Sequence, residues 1–286
     1  MEEAKRPKKT KDNSVSNVCK ALCIQFCPEI CNPEKNKKKL VELLLQHENS
    51  ELDLILFPEM ALSGYDLKTI EVVDSQAEEA GKGVAFSFFS EIARKFKAYV
   101  FAGFPEKSGP KFYNSMYCLD REGKSIMTYR KTFLYEVDKP FYAEGDGFKT
   151  FELTTLAGKV LKASPIICMD LNPKDFGDFE KFEFANYAKD NNVDLIIFCA
   201  NWLKSNPNLK DDPKEVLNLV NYFLIRLHPL LDTKKKKIGF LCANRVGEEG
   251  TIKYAGTSCG LIFPSPKLIG VLGQTTEAVL PINLPF

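Results

Sequence analysis

Ser164-Pro165-Ile166-Ile167-Cys168-Met169-Asp170-Leu171-Asn172 is the stretch on which the fold turns. After the proline, two β-branched residues read as the end of a buried strand. The apolar run then stops at Cys168 and gives way to a polar, turn-like segment from Asp170 to Gly177. A thiol therefore stands at the carboxyl end of a strand. In open or stacked α/β sheets ligands collect at that edge, and a nucleophile on a sharp turn there is exposed and faced by unpaired backbone N–H groups. The competing account is a buried cysteine acting as a small hydrophobe, the commoner fate of a single cysteine. What decides between them is the company Cys168 keeps.

On both sides of this stretch helix and strand alternate, which indicates an α/β layer architecture. Upstream, Val18 to Phe26 alternates into a first strand, and Asn32-Pro33 caps and starts a helix through His47 with Leu40, Val41, Leu44 and Leu45 on its apolar face. Leu52 to Phe57 is a second strand, ended by Pro58, which has no N–H for the ladder. Glu59 follows at once, beside Met60, Ala61 and Leu62; partial desolvation there raises a carboxyl pKa and suits it to proton transfer. A helix over Val84 to Lys97 leads into a strand from Tyr99 to Phe104. Phe112 to Leu119 and Lys124 to Tyr129 form a hairpin, after which come Arg130 and Lys131. Lys131 is either a solvated strand end or an ammonium held in a site as an electrophilic clamp. The polar loop Glu136 to Gly147 has the glycines and aromatics of a binding lid, with Glu144 its candidate acid.

Downstream, Phe148 to Leu153 and Val160 to Ile167 pair as strands, and a helix near Phe179 to Asn191 follows the Cys168 turn. Asp194 to Cys199 is another apolar strand; it delivers Asn201 and Trp202, the single tryptophan, to its carboxyl end as candidate pocket residues. A loop at Asn206 to Pro213 precedes a helix marked by Val216, Val220, Phe223 and Leu227, whose exit is the solvated run Lys234 to Lys237. Ile238 to Ala243, Gly256 to Phe263, Leu268 to Leu272 and Ala278 to Ile282 complete the strands.

The chain has 286 residues, 44% of them hydrophobic, enough for one large core, and no linker divides it. Residues 18–286 read as one domain, preceded by a flexible, Lys-rich tail over 1–17 that cannot bury enough surface to fold. A formal net charge of +1 leaves no global field for nucleic acid or an anionic membrane. No apolar run approaches the roughly 18 residues of a membrane span, and the first residues are too charged for a signal peptide. The expected location is the cytosol, with the nucleus also open. Nine cysteines, an odd number, suit a reducing compartment. Cys19, Cys23, Cys27 and Cys31 recur every fourth residue, but along a strand they spread too far for one ion, so same-face positions are expected and no metal or other cofactor.

Glu59, Lys131 and Cys168 each follow an apolar strand and can converge at one sheet edge. The two histidines, His47 and His228, fall on helices distant in sequence from every candidate strand end, so a Cys-His dyad is poorly supported. The trio suffices for acyl transfer: Glu59 as base and acid, Cys168 as nucleophile, Lys131 and the Met169 N–H as oxyanion donors. A neighbouring ammonium is also a reason for partial thiolate at neutral pH.

At these residues the chain resembles the carbon-nitrogen hydrolases, or nitrilase superfamily, whose hallmark is a Glu-Lys-Cys triad. The segments are Phe57-Pro58-Glu59 with Ser63-Gly64-Tyr65, Tyr129 to Leu134, and Ile167-Cys168-Met169-Asp170, and the likeness runs from Val18 to Phe286. It implies a four-layer αββα sandwich, a monomer or homodimer, and a second glutamate near the triad at Glu144. Cys168 to Pro173, Arg130 to Glu136 and Phe182 to Ala185 further resemble the protein N-terminal asparagine amidohydrolases, which convert N-terminal Asn to Asp in the N-degron route. Protein or peptide N-termini are then the expected substrate. An α-ammonium needs an anionic subsite, for which Asp170, Asp175 and Asp178 are candidates. Two alternatives stay open: a small-molecule ω-amidase with a cationic pocket, and a scaffold on a retired enzyme fold.

Overall fold

The computed structural model describes residues 18–207, 212–233 and 237–286. The expected tail over 1–17 and parts of the expected segments at 206–213 and 234–237 lie outside them. Two six-stranded sheets pack face to face between helices, giving the αββα sandwich. The first sheet is built from β1 (Val18–Gln25), β2 (Leu54–Leu56), β3 (Tyr99–Ser108), β4 (Lys111–Leu119) and β5 (Ser125–Arg130), with α1 (Pro33–Leu44), α2 (Ile70–Gln76) and α3 (Val84–Phe96) between its strands. The second contains β6 (Phe151–Thr154), β7 (Val160–Ile167), β8 (Leu195–Ala200) and β9 (Ile238–Asn244), with α4 (Glu183–Asp190) and α5 (Pro213–Arg226) on its outer side. A small hairpin of β10 (Glu248–Glu249) and β11 (Ile252–Lys253) precedes β12 (Cys259–Phe263) and β13 (Lys267–Val271), which extend the second sheet. The last strand, β14 (Ala278–Pro285), crosses back to pair with β1.

The strand orders are β14-β1-β2-β3-β4-β5 and β13-β12-β9-β8-β7-β6. In each sheet the three middle strands, β1-β2-β3 and β7-β8-β9, run parallel and the flanking pairs are antiparallel. Side-chain alternation explains the four layers. In β2, Leu54 and Leu56 face the core between the sheets, with Ile167, Leu195, Ile197 and Leu241 from the other sheet. Ile55 faces outward with Leu40 and Leu44 of α1 and Phe89 and Ile92 of α3. Ile166, Ile196 and Phe198 likewise meet Ala185, Ala188, Val220 and Phe223 of the outer helices. Strands covered on both faces read as unbroken apolar runs, which is why β8 is buried throughout.

Several expected boundaries shift. The second strand contracts to Leu54–Leu56, α1 gives way at Leu45–His47 to a 3-10 turn, and α4 starts only at Glu183. Cys19 and Cys23 do share the inward face of β1, but Cys27 and Cys31 lie beyond the strand's end, so the four do not form one row. Among the described residues no group of three or more His, Cys, Asp or Glu side chains is placed to hold a metal ion, and no helix is long and apolar enough to cross a membrane.

Candidate active site

The carboxyl ends of the parallel strands set the site. Past the end of β2 the chain crosses β3 at Gly103, with Gly103 N–H donating to Pro58 O (3.3 Å) and Ala61 N–H to Gly103 O (3.0 Å). A Cβ on Gly103 would stand 2.6 Å from the Glu59 Cα, so only glycine admits this crossing. Glu59 is thereby pressed into the sandwich and fully buried. Lys131 follows β5 directly, its N–H bonded to Asn114 O of β4 at 2.8 Å, and it too is fully buried.

Lys131 Nζ donates to Glu59 Oε1 (2.8 Å) and to Asp138 Oδ2 (2.6 Å). Asn114 Nδ2 bridges the same two carboxylates, at 2.6 Å and 3.2 Å, and Tyr135 N–H donates to Asp138 at 3.0 Å. From the opposite sheet, the Asn201 N–H at the end of β8 donates to Glu59 Oε2 at 2.7 Å. Two carboxylates and one ammonium leave the buried group one charge negative. Burial pushes the Glu59 carboxyl pKa up; Lys131 pulls it down, but Asp138 pushes it up again, and the net shift is upward. For Lys131, burial opposes the charge, yet Asp138 and Glu59 outweigh it and hold the ammonium well above the usual lysine pKa. Glu59 is therefore more basic than a lone carboxylate paired with lysine.

Cys168 opens a 3-10 turn, Cys168–Leu171, at the end of β7, with φ of +40°. A non-glycine residue in that region carries strain of about 1–3 kcal/mol and must be held there. Asp170 does the holding: its oxygens accept from Ile167 N–H (2.9 Å), Thr132 N–H (2.9 Å), Phe133 N–H (2.8 Å) and Tyr129 Oη (2.8 Å), tying the turn to the segment after Lys131. Burial and the Glu59 charge drive the Cys168 thiol pKa well up, while Lys131 and the Asn201 N–H only partly offset them. The expected thiolate is thus corrected: Lys131 is already committed to two carboxylates, so Cys168 rests as a thiol and needs its base.

Other expected site residues divide. Glu144 does not join the buried group; it lies at the surface, paired with Lys174 at 2.8 Å. Asp138, from the same loop, occupies the position beside Lys131 that Glu144 was expected to fill. Asp170 is fully buried with four donors around it, so it has no lone pair to spare for a substrate ammonium; burial pushes its carboxyl up to about 6 despite those bonds. Asp175 is paired with Lys139 at 2.7 Å, and Asp178 is exposed and accepts from Glu180 N–H. Met169, Asn201 and Trp202 do line a cavity of about 350 Å³ that opens onto Cys168. Trp202 is braced edge-on by Phe198 and Phe223 and forms a rigid wall. Tyr135, Lys204, Ser205, Glu215 and Asn218 also lie in its wall. The volume sits at the small end of the roughly 300–1,000 Å³ of small-molecule sites.

Residues 20–173, over half of the chain and spanning Glu59, Lys131 and Cys168, match the carbon-nitrogen hydrolase family. The chain belongs to that family. This hydrolase acts on carbon–nitrogen bonds of amides. It is 32% identical to the protein N-terminal amidase of Schizosaccharomyces pombe over 90% of its own length and 96% of the relative's. The protein N-terminal amidase of Saccharomyces cerevisiae is also 32% identical, over 77% of this chain, which spans half of that longer protein. Among solved structures, an N-terminal amidase holding an Asn-Glu-Ala peptide superposes with a TM-score of 0.84 at 24% identity, covering 95% of this hydrolase and 98% of the other chain, which carries the likeness of fold.

Proposed function

We propose that this hydrolase removes the side-chain amide of an N-terminal asparagine, leaving aspartate and ammonia, through a thioester on Cys168. The observation that carries the chemistry is the convergence of a strained, cavity-facing thiol with a carboxylate whose basicity is raised and an ammonium beside it. Glu59 takes the Sγ proton as sulfur attacks the amide carbon, and the carbonyl π pair moves to oxygen. Lys131 and the Met169 N–H stabilise that oxyanion. The C–N bond breaks as Glu59 returns the proton to nitrogen, and ammonia leaves. Water then gives a proton to Glu59, attacks the thioester carbonyl and displaces sulfur, which recovers the proton. Every step uses groups of the chain and one water.

The substrate assignment is supported by the relatives, named as protein N-terminal amidases, and by the cavity. Asn201 lines the cavity, and neither polar atom of its buried side chain has a partner, which leaves a donor and an acceptor unused beside the nucleophile. A second reading, a free ω-amide bearing a carboxylate, draws on Lys204 in the same wall. Ammonia release from peptides beginning with Asn, from their N-acetylated forms and from free 2-oxo ω-amides separates them. The proposal expects turnover of the first only; equal turnover of the acetylated peptide would refute it, and faster turnover of the 2-oxo amides would favour the second reading.

A further inference from the structure

With Asp170, Asp175 and Asp178 committed elsewhere, one carboxylate remains in the cavity wall. Glu215 lies in the first turn of α5, behind the N-cap Asp212, and is the single acidic residue among the described residues that line the cavity. Its Oε1 accepts from Asn218 Nδ2 at 3.1 Å and its Oε2 from Ser205 Oγ at 3.2 Å. Both donors are neutral. They fix the carboxylate without cancelling its charge, and each oxygen keeps a further lone pair. An acid in the first turn of a helix is ordinarily explained by the helix dipole, but that role does not require it to face a cavity.

The second observation is Asn201. The residue is 2% exposed and lines the wall with the nucleophile, and neither polar atom of its carboxamide has a partner. With Asn201 at the thiol end and Glu215 as the one carboxylate in a wall that also carries Lys204, the cavity offers sites for a ligand with an amide at one end and a cation a short distance away. In N-terminal asparagine three bonds separate the amide carbon from the α-nitrogen, and that amine, with a reference pKa of about 7.7–8.0, is largely protonated at neutral pH.

Resting on the proposed function, we infer that Glu215 is the anchor for the substrate's α-ammonium, held ready by Ser205 and Asn218. It is a binding and specificity residue and takes no part in proton transfer at Cys168. The anchor also explains why the buried group of Glu59, Lys131 and Asp138 does not have to read the amine itself.

The test compares kcat/KM for an Asn peptide with that for the same peptide built on succinamic acid, which keeps the side-chain amide and lacks the α-amine. Wild type prefers the free amine. Glu215→Gln, which keeps size and hydrogen-bonding capacity, lowers kcat/KM on the Asn peptide by roughly 10- to 100-fold, the worth of a charged hydrogen bond, and leaves the amine-free peptide near the wild-type rate. Glu215→Asp, which keeps the charge, retains part of the preference. Equal losses on both peptides would make Glu215 a structural prop and overturn the inference. An unchanged preference in Glu215→Gln, with wild type still selective, would overturn it alone. A wild type that does not distinguish the two peptides would overturn the proposed substrate as well.

Discussion

Replacing Asp138 with Asn tests whether the buried group is a tuned base or simply an ion pair. The two contacts of Lys131 Nζ, 2.8 Å to Glu59 and 2.6 Å to Asp138, laid end to end place the carboxylate oxygens no more than about 5.4 Å apart. At an effective dielectric constant of 20 their repulsion is roughly 3 kcal/mol. That repulsion makes Glu59 hold a proton more tightly, so removing the Asp138 charge lets Glu59 ionise at lower pH and weakens it as a base. In a pH–rate profile the acid limb, which reports loss of activity as Glu59 becomes protonated, moves to lower pH. At neutral pH kcat/KM falls by roughly 10- to 100-fold, less than the full 100- to 10,000-fold worth of a general base. Stability falls too. Lys131 Nζ, Asn114 Nδ2 and Tyr135 N–H all point at Asp138, and an amide offers one oxygen and turns its NH2 toward a donor, a net cost of about 2 kcal/mol in urea unfolding. A variant of wild-type activity with an unmoved acid limb would refute the tuning.

Lys131→Met should shift that same limb the opposite way, because Lys131 lowers the Glu59 pKa and its removal lets the proton bind more tightly; kcat/KM should drop about 100- to 1,000-fold, as for loss of an oxyanion donor. A limb moving downward would contradict the electrostatics. Gly103→Ala, with no chemistry of its own, should lower stability by about 1–3 kcal/mol and reduce turnover, since its methyl would meet the Glu59 backbone at 2.6 Å; unaltered kcat with unaltered thermal stability would show that the crossing has slack.

Much of this was legible in the sequence because burial on two faces writes long apolar runs, and each such run ends where the chain leaves the sheet. Lys131 follows a mixed strand and stands second after Arg130, whereas Glu59 and Cys168 were readable as the first polar or nucleophilic residues past such ends. Asp138 was not. It shares a loop with Glu136, Glu144 and Asp146, and nothing periodic marks which of the four turns inward; a short turn does, with Asp138 N–H bonded to Tyr135 O at 2.8 Å and the Asp138 side chain taking the Tyr135 N–H. Asp170 misled for a related reason. Nearness to Cys168 in sequence suggested the cavity, but two residues along a 3-10 turn the side chain points back into the protein. Glu215 was hidden because an acidic residue beginning a helix is unremarkable until the helix is seen to border the cavity.

The central claim is covalent catalysis by Cys168, and mass spectrometry of the enzyme quenched during turnover of an Asn peptide tests it most directly. The account predicts an adduct on Cys168 equal to the peptide less ammonia, lost on incubation in water and absent from Cys168→Ala, which also releases no ammonia. Ammonia release by Cys168→Ala at the wild-type rate would contradict it.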